Sequence, residues 1–148
     1  MSNTCKLETG DYLIVSTVDG KVSNVCRDPP GPVEPIVFDR RPVKFFIEKF
    51  EDDSKCAYTI RLSDSGDDRY LRNVNGIVSA SADRGIPQRW VINAYGRESY
   101  TIVEDHYPPN QAWTDSRGAL GCDRPVCITT MPMIPRVDPK YVFVIWIA

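Results

Sequence analysis

The chain has 148 residues, 18 basic and 20 acidic side chains, and a formal net charge of −2. That length suits one domain able to bury most of its apolar surface, and 42% hydrophobic with 26% charged residues is a globular composition, not a disordered one. The near-neutral balance lacks the basic footprint expected of a nucleic-acid or anionic-membrane binder, and no apolar run approaches the roughly 18 residues of a spanning helix.

The opening segment, Met1-Ser2-Asn3-Thr4-Cys5-Lys6, carries no apolar run of the secretory type, so a cytoplasmic protein is expected. Beyond it, short runs of Val, Ile, Thr, Tyr and Phe bounded by Gly, Pro, Asn and Asp read as strands. The first four are predicted near Tyr12–Thr17, Lys21–Val25, Pro35–Asp39 and Val43–Phe50. The next four fall near Tyr58–Ser63, Arg69–Val74, Ile77–Ala82 and Arg89–Ala94. The last four fall near Tyr100–Asp105, Gln111–Thr114, Val126–Thr130 and Tyr141–Ile147. Asp19-Gly20, Asn75-Gly76 and Arg117-Gly118 mark reversals where glycine tolerates positive φ. Apolar runs of helical period are nearly absent.

These strands repeat. Gly10-Asp11-Tyr12-Leu13-Ile14, Ala57-Tyr58-Thr59-Ile60 and Ser99-Tyr100-Thr101-Ile102 resemble one another. Pro42, Pro87 and Pro139 each precede an apolar run that contains Phe45, Trp90 or Val142. A recurrence of roughly 20–50 residues signals a repeated supersecondary unit. We therefore expect one domain, 1–148, with repeats at about 10–52, 56–96 and 98–148, twelve strands in all, closed as a β-trefoil. Tyr12, Tyr58, Tyr100, Phe45, Trp90 and Val142 are expected in its core, because large aromatics at repeated positions fill interiors.

Cys5, Cys26, Cys56, Cys122 and Cys127 form an odd set, which argues for free thiols over a disulfide framework. Cys122 and Cys127 are separated by four residues with no histidine near, a poor zinc pattern, so no metal and no cofactor are expected. His106, the one histidine, sits beside Glu104 and Asp105 with no nucleophile motif, and we expect no enzyme.

Gln88-Arg89-Trp90 matches the Gln-x-Trp motif of ricin-type β-trefoil lectins, in one copy of three. With its opening Gly-Asp-Tyr-Leu-Ile, short strands and long proline-rich loops, the chain more closely resembles the small fungal β-trefoil protease inhibitors of the cospin type. That resemblance implies a defence protein, a monomer, whose partner is a trypsin-like serine protease. It implies binding by a substrate-like loop.

Two long loops could serve. The first runs Asn24-Val25-Cys26-Arg27-Asp28-Pro29-Pro30-Gly31-Pro32-Val33-Glu34-Pro35, where each proline fixes φ and restricts its predecessor. A rigid loop loses less entropy on binding. A basic tip suits a specificity pocket floored by a carboxylate. Arg27 is the expected P1 residue and Asp28 the P1′ residue, flanked by Asn24, Val25, Cys26, Pro29 and Pro30, with Asn24 bracing the loop through its side chain. The second loop, Met131–Pro139, offers Arg136 as the rival. Arg124 precedes a proline, which blocks productive binding; Arg84 and Arg117 precede glycines in turns.

Two other functions compete. A carbohydrate-binding lectin would use Asp67 and Asp68 with Tyr70, or Asp115 with Trp113. A cysteine protease inhibitor of the mycocypin type would use broad loops near glycine.

Overall fold

The computed structural model describes residues 5–27, 30–50, 55–63, 69–82 and 85–148. They form twelve strands and no α-helix: β1 (Gly10–Ser16), β2 (Val22–Val25), β3 (Val33–Asp39), β4 (Phe45–Lys49), β5 (Ala57–Leu62), β6 (Tyr70–Val74), β7 (Ile77–Ser81), β8 (Trp90–Gly96), β9 (Ser99–Glu104), β10 (Gln111–Asp115), β11 (Val126–Thr130) and β12 (Phe143–Ile147). Short 3-10 turns at Gly121–Asp123 and Pro139–Tyr141 precede β11 and β12. Every strand expected from composition is present, because β-branched and aromatic runs fit a pleated, half-buried surface.

The expected β-trefoil is corrected. All twelve strands join one sheet that closes on itself as a barrel. Ten strands make the circuit: β1, β4, β5, β8, β9, β10, β11, β7, β3, β2 and back to β1. Two strands are extra. β6 attaches to β5 and β7, and β12 to β1 and β9. The links between strands of different repeats are unequal. β3 meets β7 over Val33↔Ser81, Glu34↔Ala80 and Pro35↔Ser79, whereas β11 meets β7 only at Cys127↔Ile77. A recurring tyrosine or proline marks a strand, but it does not say which neighbour that strand takes. Closure itself removes exposed edges.

The repeated residues do meet in register. Tyr12 faces Phe45, Tyr58 faces Trp90, and Tyr100 faces Phe143, so the third partner is Phe143 and not its neighbour Val142. All of them are buried. Inside the barrel Trp113 meets Trp90 edge-on at 5.6 Å and Phe143 at 6.2 Å, while Phe38 stacks on Phe143 at 5.8 Å. Such aromatic pairs add stabilisation beyond the area they bury.

The two expectations about local chemistry that fail are the thiols and one turn. Cys5 is bonded to Cys56 and Cys26 to Cys122, leaving Cys127 as the free cysteine among the five. Parity permits two bridges and one remainder, and proximity in space decides the pairs. Asn75 and Gly76 turn β6 into β7 with φ of 54° and 85°, as their dipeptide suggests, and Gly20 has φ 77°. At Arg117-Gly118 the positive φ, 59°, belongs to Arg117. Gly118 is needed for space: a Cβ there would lie 2.4 Å from the Asp123 carbonyl oxygen.

Candidate functional site

The first long loop leaves the barrel where the β2–β3 ladder ends. Asn24 pairs with Val37 and Val25 with Ile36, and the Cys26 N–H donates to the Pro35 carbonyl at 2.8 Å. Val25 and Cys26 are buried, so the segment open to a partner begins at Arg27. Among the described residues, Asn24 Oδ1 accepts from the next amide, Val25 N–H, at 2.8 Å. Pro30 is exposed, while Asp28 and Pro29 lie outside the described residues.

The base of the loop is held from two sides. On one side, Cys26 is bonded to Cys122, which sits in the 3-10 turn Gly121–Asp123. Arg124 closes that turn by donating its N–H to Gly121 O at 3.0 Å, and its own carbonyl accepts from Phe38 N–H on β3 at 3.0 Å. The Arg124 guanidinium is buried and reaches two carboxylates: Nε lies 2.9 Å from Asp115 Oδ1, and Nη2 lies 3.1 Å from Asp19 Oδ1. Ser16 Oγ donates to Asp115 Oδ2 at 2.7 Å, and Arg117 N–H donates to Asp115 Oδ1 at 2.9 Å. The bond from Arg124 holds the Asp19 carboxyl below its ordinary range. Burial pushes Asp115 the other way, but bonds from Arg124, Ser16 and Arg117 overcome it and leave this carboxyl lowered too.

On the other side stands Glu34. It shares the inward register of β3 with Ile36 and Phe38 and is 3% exposed. Arg69 Nη1 lies 2.8 Å from Glu34 Oε1 and also donates to the Gly31 carbonyl at 2.9 Å. Gly31 N–H approaches Glu34 Oε2 at 3.3 Å, and Arg27 Nε approaches Glu34 Oε1 at 3.3 Å. The Arg27 side chain nonetheless stays 54% exposed. Sequence reading missed Glu34, Arg69 and the disulfide. The available signal was a carboxylate in phase with Ile36 and Phe38, which a buried partner must neutralise.

The second long loop, between β11 and β12, is pinned at its ends. Met131 N–H donates to Asn110 O at 2.8 Å, Val137 N–H to Tyr95 Oη at 3.2 Å, and Arg117 pairs with Asp138. Between them Arg136 is exposed, with no hydrogen bond or ion pair to other described residues, near the exposed Met133 and Ile134.

Of the two lectin candidates, the Asp115–Trp113 pair does not present a sugar site. Trp113 is wholly buried and Asp115 is engaged by Arg124, so neither can meet a sugar. Asp67 and Asp68 lie outside the described residues, as does Arg84. Gln88 accepts from Asn73 N–H at 2.8 Å and donates to Glu104 Oε2 at 2.7 Å, while Trp90 Nε1 donates to Leu71 O at 3.2 Å. The Gln-Arg-Trp motif is therefore internal scaffolding. His106 lies on the surface 3.4 Å from Glu104 Oε2.

No protein-family model matches the sequence, and no curated protein matches it. Solved structures do. The chain is similar to the proteinase inhibitor from Coprinopsis cinerea, with TM-score 0.74 and 14% identity over 97% of this chain and 100% of that one. It is similar to Cry35Ab1, with TM-score 0.71 and 18% identity over 94% of this chain and 36% of that one. It is also similar to a salivary protein from Culex quiquefasciatus of the Cysteine and Tryptophan-Rich family, with TM-score 0.70, 14% identity and 98% of each chain covered. At such identities the likeness is one of fold.

Proposed function

We propose that this protein is an inhibitor of trypsin-like serine proteases that binds through the loop carrying Arg27. The observation that carries the reading is the position of Arg27: a half-exposed cation directly after a ladder end bolted to Cys122. Similarity in fold to a proteinase inhibitor over the full length of both chains supports protease inhibition in general, although the same fold can host other functions. The Arg27 guanidinium enters the protease specificity pocket and pairs with the carboxylate at its floor. The Arg27–Asp28 peptide bond then lies at the catalytic serine. Held at Cys26 and Gly31, the loop resists the separation of products that hydrolysis needs. The protein acts by binding and not by catalysis.

The test is tight-binding titration of trypsin with wild type, Arg27→Asn, Arg27→Lys and Arg136→Asn, with circular dichroism as the folding control. Arg27→Asn removes charge and length at the centre of the contact. Loss of a central anchor on the order of 4 kcal/mol lowers affinity about a thousandfold. Arg27→Lys keeps a long cation and retains tight binding. Inhibition surviving Arg27→Asn but lost in Arg136→Asn would move the site to the β11–β12 loop. Inhibition of papain and not trypsin would replace the reading with the cysteine-protease one.

A further inference from the structure

In the free protein the Arg27 side chain is already engaged: its Nε lies 3.3 Å from buried Glu34. To enter any pocket it must leave that carboxylate. Leaving a buried carboxylate unpaired is strongly unfavourable, so the loop would be trapped if Arg27 were its only counterion. It is not. Arg69 lies closer, 2.8 Å from the same oxygen, and its side chain is 17% exposed against 54% for Arg27.

We propose that Glu34 and Arg69 form a clamp that presets the Arg27 loop and lets Arg27 exchange one carboxylate for another. The proposal rests on the inhibitor reading above. Glu34 fixes the far limb of the loop by accepting from Gly31 N–H, and Arg69 fixes the same residue by donating to its carbonyl at 2.9 Å. Gly31 is thus held through both backbone polar groups, on the side of the loop opposite the Cys26–Cys122 bridge. When Arg27 swings out, Arg69 keeps Glu34 neutralised and Gly31 stays where it was. Arg27 makes the contact, and Glu34 and Arg69 are positioning residues.

The experiment compares wild type, Arg69→Met, Arg69→Lys and Glu34→Gln in two assays, with thermal unfolding as the folding control. The first is inhibition of trypsin together with mass spectrometry of cleavage after Arg27. The second is amide hydrogen exchange at Gly31, which reads the loop without a protease. Arg69→Met keeps the apolar stem but removes the charge-assisted bonds. Its affinity for trypsin falls about tenfold to a hundredfold, cleavage after Arg27 becomes detectable, and the Gly31 amide exchanges faster than in wild type. Arg69→Lys restores a cation and recovers part of the loss, and Glu34→Gln behaves like Arg69→Met. Folded Arg69→Met and Glu34→Gln proteins with wild-type inhibition and wild-type exchange rates at Gly31 would overturn the clamp while leaving the inhibitor reading standing. Absence of trypsin inhibition by wild type overturns both. If Arg69→Met fails to fold, Arg69→Lys and Glu34→Gln decide: wild-type values in both overturn the proposal.

Discussion

Arg124 and Arg27 carry the same side chain at opposite extremes of solvent access, 4% and 54% exposed. The difference fixes what each can do. Arg124 is locked between Asp115 and Asp19 and holds the turn that carries Cys122, so its loss leaves Asp115 buried without its counterion. Replacing Arg124 with Met should cost about 3–5 kcal/mol, read as a lowered midpoint of thermal unfolding. Acid should act on the same cluster. Asp19 and Asp115 are both more acidic folded than their ordinary value of 3.8. Their ionisation therefore stabilises the fold above that value, and the contribution is lost as pH falls through the lower folded values. Unfolding temperature measured from pH 6 downward should drop steeply below about pH 4 in wild type and more gently in Asp115→Asn. Sequence reasoning set Arg124 aside because Pro125 follows it. The stronger reason, burial against two carboxylates, depends on contacts with Asp19, which lies far away along the chain.

The connection from β10 to β11 is the element that links this cluster to the Arg27 loop. It folds tightly because Gly118 lets the backbone pass the Asp123 carbonyl. A methyl at Gly118 would lie 2.4 Å from that oxygen. Gly118→Ala should therefore destabilise by about 1–3 kcal/mol, the usual cost of overpacking, and lower the unfolding midpoint by roughly 2–4 °C for each kcal/mol. Gly31→Ala is the control. No heavy atom of the described residues lies within 4 Å of a Cβ at Gly31, so its midpoint should stay at the wild-type value. The strands and the Asn75-Gly76 turn were legible in the sequence because alternation and turn chemistry act between residues a few positions apart. The role of Gly118 was not, since the carbonyl it must clear belongs to a turn whose shape depends on Arg124 and on the bridge to Cys26.

For the molecule as a whole, the two disulfides tie segments 51 and 96 residues apart. Cross-links over loops of that length restrict the unfolded chain, by about 4–5 kcal/mol each in the entropic model. A reductant should lower the thermal midpoint by on the order of 10 °C or more, and an unchanged midpoint would show that neither bridge contributes. Removing only the second bridge, with Cys26→Ser and Cys122→Ser together, should also loosen the base of the Arg27 loop and weaken trypsin inhibition. Strand content, the Gly76 turn, the buried repeat tyrosines and the exposure of Arg27 followed from the sequence alone, because each is written in residues adjacent or nearly adjacent in the chain. The closed ten-stranded circuit, the disulfide pairs, the burial of Trp113 and Asp115 and the Glu34–Arg69 pair did not. Each is a meeting of residues distant in sequence, and such meetings are selected only when the barrel closes and the whole core chooses one set of neighbours.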